Sequence, residues 1–214
     1  MRARKHLDLH KALLFGLCTL PLLLILWRGI RGELGPNPVE VLTHETGDWA
    51  LRLLLLTLAV TPLRQLTGQA VIIRFRRMLG LFAFFYASLH LMVYLWLDQS
   101  WGWSEIIDDV LRRPFILVGW LAFMLMVPLA ITSTQAWMRR LGRGWKRLHR
   151  SVYAIAVLAV LHYVWLVKAD LLEPAIYALI LALLLVARLP WTRPRIWIGT
   201  SLRRSGPSAR ERGP

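Results

Sequence analysis

The chain has 214 residues, 57% of them apolar, and 27 Lys and Arg against 12 Asp and Glu give it a formal net charge of +15. So apolar a composition, with a positive mean hydropathy, leaves too little polar surface to clothe a soluble globule, and a soluble domain is excluded. The basic excess is divided among short stretches beside apolar runs, with no aromatic-rich soluble module to present bases, so nucleic acid is not an expected partner.

Six apolar segments follow in order, roughly 12–27, 49–63, 78–97, 114–131, 151–167 and 174–189. Most are near the ~20 residues needed to cross a hydrocarbon core. The expected fold is an all-α membrane protein, a bundle of six transmembrane helices in one domain over residues 1–200, with 201–214 a basic disordered tail. The first run continues to Trp27 and is followed by Arg28 and Arg31, with no small-x-small pattern before Glu33; it reads as a retained span rather than a cleaved export signal. Its Cys18, the sole cysteine, reads as a small buried hydrophobe. Pro21, Pro62 and Pro128 read as kink or helix-end residues, and Asp108 with Asp109 as a solvated loop face.

Of the 27 basic residues, 20 fall in four stretches, at the two ends and in every second loop. Flanking Lys and Arg stay on the cytoplasmic side, so both termini and the second and fourth loops are expected inside. Ten of the 12 acidic residues lie in the remaining loops, which makes the opposite face acidic. Trp27, Trp49, Trp96 and Trp165 fall at outer ends and Trp137, Trp145 and Trp191 just beyond inner ends, as headgroup-seeking rings do. Only Trp120 falls well inside a span.

With that orientation, the third helix enters near Met78 and the fifth near Ser151, so His90 and His162 are each about a dozen residues in. At 1.5 Å per residue both lie roughly 18 Å from the cytoplasmic edge. Ionisable residues are scarce in spans and default to function, and two at matched depth on separate helices suit the axial positions of one b haem filling the apolar space between them. Thirteen residues before His162 stands His149, and thirteen before His90 stands Arg77, both at the inner boundary. Half of a second bis-histidine pair is therefore present. Thirteen helical steps rotate about 220°, so His149 shares a face with His162 only where the helix is distorted or begins after it. The inner level is open to a second haem on His149 or to a cofactor whose anionic groups Arg76, Arg77, Lys146, Arg147 and Arg150 would attract; since Arg77 offers iron no imidazole, the anionic cofactor fits better. His6, His10 and His44 read as surface residues, and Arg52 as a snorkelling cation or a partner for a haem propionate.

These residues carry a resemblance. Arg76-Arg77-Met78-Leu79-Gly80-Leu81 continuing to Ser88-Leu89-His90, Trp145 to Tyr153 leading to His162-Tyr163-Val164-Trp165, Thr61-Pro62-Leu63-Arg64, and Arg113-Pro114-Phe115 with Gly119-Trp120 and Thr132-Ser133 resemble the MsrQ family, haem-binding membrane subunits of bacterial periplasmic methionine sulfoxide reductase systems. The match runs over roughly residues 8 to 190, and the six-helix core is similar to the ferric reductase-like transmembrane domain. The resemblance implies a multi-pass b-type cytochrome of the bacterial inner membrane that also binds FMN. It further implies electrons taken from the quinol pool or a cytoplasmic flavin reductase and delivered to a periplasmic molybdopterin subunit, MsrP, in which sulfoxide reduction occurs. About 25 residues follow the sixth helix, too few for an attached nicotinamide dehydrogenase module. Two other classes are open: a metalloreductase acting directly on ferric or cupric ions, and a non-redox transporter using the histidines as a proton relay.

Overall fold

The computed structural model describes residues 2–167 and 171–188, and among them there is no strand. Trp191, the basic stretch from Arg193 onward and the tail 201–214 lie outside the described residues. Among the described residues, five helical stretches are long and apolar enough to cross a membrane: Leu9–Ile30, Pro38–Thr67, Ala70–Asp98, Pro114–Ile131 and Arg143–Leu166. The sixth apolar segment is the shorter helix Leu172–Val186, about 22 Å long against a core of about 30 Å.

Helix α1 (Arg2–Ile30) contains Pro21, which removes one ladder donor and crowds the preceding turn. The repair comes from another helix. Tyr86, wholly buried, accepts the Leu22 N–H at 3.1 Å and donates to the Cys18 carbonyl at 2.8 Å, so one hydroxyl bridges the opened turn. Cys18 itself is buried among apolar side chains.

Helix α2 (Pro38–Thr67) starts eleven residues earlier than the apolar run. Asn37 caps it, its Oδ1 accepting from Glu40 N at 3.4 Å and its Nδ2 donating to Glu40 Oε2 at 2.9 Å, with Pro38 in the first turn; this is an asparagine N-cap with a favoured N-terminal proline. His44 is thereby in helix rather than in the outer loop. Gly68, at φ 69°, closes the far end by donating to Arg64 O at 3.0 Å, a left-handed cap that suits glycine.

A 3₁₀ turn (Ala70–Phe75) leads into α3 (Arg76–Met92), which runs on through a π-helical turn, Val93–Asp98. Helix α4 (Trp103–Arg112) turns Ile106 inward and leaves Trp103, Ile107 and Leu111 exposed along one side. Asp109 is not a solvated loop residue: it pairs with Arg113 at 2.9 Å and accepts from the Tyr94 hydroxyl at 3.2 Å. Helix α5 (Pro114–Ile131) is followed by two short helices, α6 (Gln135–Leu141) and α7 (Arg143–Leu148), then by a 3₁₀ turn (His149–Ser151), α8 (Val152–Leu166) and α9 (Leu172–Val186).

Two hairpins, α2 with α3 and α5 with α8, make the closest helix pairings. Ala83 and Ala156 are wholly buried beside Leu58, Tyr86 and Ile155, small residues that let backbones approach where lipid supplies no hydrophobic drive between helices. Outward, Leu17, Leu24, Leu121, Leu179 and Leu183 are each about half or more exposed, an apolar surface too extensive for water.

Candidate functional site

Between the hairpins lies a cavity of about 520 Å³ with apolar walls, including Leu51, Leu54, Phe123 and Met126, and with His90 and His162 in its lining. The beginnings of α2 and α5 and the ends of α3 and α8 meet at one end of it, where Glu40, Asp48, Asp98 and Arg113 bring polarity. The structure thus brings together the two histidines that the sequence pairs.

Each imidazole is fixed in the same way. His90 Nδ1 lies 2.9 Å from Thr43 O, and His162 Nδ1 lies 2.6 Å from Phe115 O. A carbonyl can only accept, so both rings carry their proton on Nδ1 and keep the Nε2 lone pair free, the form in which histidine binds a metal. The ring centres are 6.1 Å apart. A metal held linearly between two Nε2 atoms at the ~2.0 Å usual for imidazole bonds separates the ring centres by about 6 Å. Among the described residues no third His, Cys, Asp or Glu joins them as a metal-binding group; two imidazoles alone are the set that a haem iron, whose other ligands come from its macrocycle, takes from a protein. Trp120 lines the same cavity, and its buried Nε1–H has no partner. An orphaned donor in an apolar wall is costly unless a ligand acceptor meets it. The residues fit a bis-histidine haem.

Sequence reasoning passes over what lies behind the rings. Gly47 backs His90 and Gly119 backs His162, each 43 residues before its histidine and four residues after the carbonyl its ring bonds. The second set follows the first by 72 residues throughout: Gly119 against Gly47, Ala122 against Ala50, Ala159 against Ala87 and His162 against His90. All of these line the cavity. The constant offset is the signal that finds the glycines.

The inner level differs. His149 sits in the 3₁₀ turn before α8, so the change of helical phase that its register requires is present. Its Nε2 lies 3.1 Å from Thr132 Oγ1, which itself donates to Pro128 O at 2.5 Å. His149 must therefore donate through Nε2 and hold its lone pair on Nδ1, the reverse of His90 and His162. Trp145 stacks on its ring at 4.0 Å and donates to Thr132 O at 2.9 Å. Ligation of iron through Nε2 would cost the Thr132 bond. Arg77, which the 72-residue offset matches with His149, is exposed on α3; its neighbour Arg76 is half-buried and within electrostatic reach of His149. Arg76 also faces Arg188, a residue the sequence reading leaves unassigned. Arg188 donates to Tyr153 OH at 2.6 Å and to Leu58 O, while its buried Nε has no partner.

Arg52 is held by protein partners and is not among the residues that line the cavity. It donates to Tyr177 OH at 2.8 Å, pairs with Asp48 at 3.1 Å and reaches Glu173 at 3.8 Å, with its guanidinium 5.2 Å from the Trp49 ring centre.

Comparison with known proteins shows the family. Residues 46–160 match the family model described as the ferric reductase like transmembrane component. A protein from Xanthomonas campestris pv. campestris (strain 8004), named "Protein-methionine-sulfoxide reductase heme-binding subunit MsrQ", is 62% identical over 172 residues, covering 80% of this chain and 76% of that protein. One of the same name from Caulobacter vibrioides is 46% identical over 203 residues, covering 92% and 93%. No solved structure matches. With the spans above, these likenesses make it a multi-pass membrane protein, and the chain belongs to the MsrQ family within the ferric reductase-like transmembrane proteins.

Proposed function

We propose that this chain is a transmembrane b-type cytochrome of the bacterial inner membrane, the electron-transfer subunit of a methionine sulfoxide reductase system. The observation that carries the reading is the pair of imidazoles, His90 and His162, facing across an apolar cavity with ring centres 6.1 Å apart and both Nε2 lone pairs free. When bound there, haem supplies a one-electron iron couple. The chain's own work is to hold the two ligands in one tautomer, exclude water with Leu51, Leu54, Phe123 and Met126, and offer the Trp120 N–H to an anionic edge. Electrons enter at the inner level from the quinol pool or a cytoplasmic flavin reductase and leave at the acidic end. The acceptor is a periplasmic molybdopterin reductase, MsrP, which carries out the sulfoxide chemistry. In this reading six helices span the membrane with both termini cytoplasmic, and FMN binds at the inner level through Arg76, Arg77 and His149. Arg188, which lies within electrostatic reach of Arg76 and whose Nε has no partner, supports an anionic occupant there over a second haem on His149.

The test is absorbance and haem stoichiometry of the detergent-purified chain. A Soret band with low-spin features is expected, and either His90→Ala or His162→Ala should abolish the low-spin signal. An unchanged bis-histidine signal in both variants would sink the assignment, and no Soret band at all would favour a proton-relay transporter. A second reading, direct metalloreduction, draws on Glu40, Asp48 and Asp98 at the cavity's polar end, which would concentrate cations. It requires reduction of ferric or cupric ions with no partner protein present.

A further inference from the structure

The planes of the His90 and His162 rings cross at 81°, and the same two constraints set each plane. The ring edge is tied through Nδ1 to a carbonyl, and the ring lies against the glycine one turn further along the same helix. A Cβ built on Gly47 would stand 3.1 Å from Nδ1 and 3.2 Å from Cε1 of His90; on Gly119 it would stand 2.9 Å and 3.0 Å from the same atoms of His162. Optimal contact between carbon atoms is about 3.5–4.0 Å. An alanine at either place therefore presses its imidazole to turn or retreat by a few tenths of an ångström, against the Nδ1 bond that fixes the ring. In a helix interior alanine is otherwise favoured over glycine by roughly 0.5–1 kcal/mol, so glycine is disfavoured by the helix and required by the ring.

We propose that Gly47 and Gly119 are positioning residues that hold the axial imidazoles of His90 and His162 near perpendicular, which makes the haem iron a highly anisotropic low-spin centre. This rests on the reading that those two histidines ligate the haem. Each imidazole mixes its π orbital with the iron d orbital lying across its own plane. Crossed planes perturb the two dπ orbitals alike and leave them nearly degenerate; parallel planes raise one alone. Near-degeneracy gives an electron paramagnetic resonance spectrum dominated by one large g value, whereas parallel planes give a rhombic three-line spectrum.

The experiment is low-temperature paramagnetic resonance of the oxidised, haem-loaded full chain in detergent, with Gly47→Ala, Gly119→Ala and, as control, Gly80→Ala, whose added Cβ would meet Thr57 Cγ2 at an ordinary 3.6 Å. The wild type and Gly80→Ala should show the single large-g signal. Gly47→Ala and Gly119→Ala should each move it toward the rhombic form, with Gly119→Ala moving it further because its contact is closer. A glycine serving only helix packing would alter haem content without moving g. A rhombic wild-type spectrum, or g values unchanged in both variants, overturns the proposal while leaving ligation intact; ligation itself fails only if His90→Ala and His162→Ala keep the low-spin signal. Should either alanine variant bind no haem, ¹⁵N shifts of its histidines in haem-free protein decide. Loss of the Nδ1–H tautomer at the affected histidine supports the proposal, and a wild-type tautomer refutes it.

Discussion

Replacing Tyr86 with Phe removes one oxygen atom and tests how the first helix survives its proline. The side chain is wholly buried, and its hydroxyl is bonded to both Leu22 N and Cys18 O. Taking it away changes volume little and leaves a backbone donor and a backbone acceptor facing apolar neighbours. Each orphaned group costs about 1–3 kcal/mol when nothing replaces its partner, but hydrogen bonds measured inside membrane proteins average only about 0.6 kcal/mol because alternative partners are found. Pro21 denies the local ladder one such alternative, so we expect about 2 kcal/mol, nearer the upper scale than the lower. The assay is reversible unfolding in mixed micelles on protein of constant haem occupancy, since bound haem itself raises apparent stability. The same substitution made in Pro21→Ala should cost less, because a continuous helix lets Leu22 N–H return to Cys18 O, and the cycle should show a coupling of about 1 kcal/mol. Equal costs in the two backgrounds, or a cost under about 0.5 kcal/mol in the native one, would refute the bridging argument.

A reporter inserted near Gly102 should be periplasmic, and one near Gly142, between α6 and α7, cytoplasmic; the opposite pattern would invert the assignment of donor and acceptor ends. Arg76→Gln with His149→Ala should lower inner-level cofactor content and slow reduction from the cytoplasmic side while the His90–His162 spectrum persists, and Arg77→Ala should do less, given that its side chain is exposed. Equal effects of the two arginine changes, measured as cofactor per polypeptide after membrane insertion is confirmed, would count against the half-buried Arg76. Trp120→Phe should weaken haem retention by about tenfold, the worth of one hydrogen bond to a charged acceptor at roughly 1.5 kcal/mol; unchanged haem transfer to an apoprotein scavenger would remove Trp120 from the site.

The juxtaposition of His90 and His162 is legible in the sequence because helix rise is regular and the basic stretches give both helices one direction. Helical phase is harder to read. The 3₁₀ turns at Ala70–Phe75 and His149–Ser151 each reset the rotation by an amount no periodicity count supplies, and so Arg76 rather than Arg77 turns toward His149. The extension of α2 back to Pro38 is written in Asn37-Pro38-Val39-Glu40, but a search for apolar runs passes over a cap that lies outside the hydrocarbon. Gly47 and Gly119 are silent for another reason: their meaning exists only once α2 lies beside α3 and α5 beside α8. Arg188 and Arg52 are likewise defined by partners more than a hundred residues away, Leu58 and Tyr177.

The 72-residue offset also bears on how such a protein could have arisen. One hairpin carries one carbonyl, one glycine and one imidazole, and presents a concave half-site that nothing in the same hairpin can close. Two copies related by a rotation close it, as the self-complementary faces of a symmetric dimer do. The unit of inheritance for the outer site is then a single helical hairpin, for which a non-covalent pair would suffice. Had two such hairpins been fused, the halves would have been free to diverge at the other level, where one bears Arg77 and the other His149.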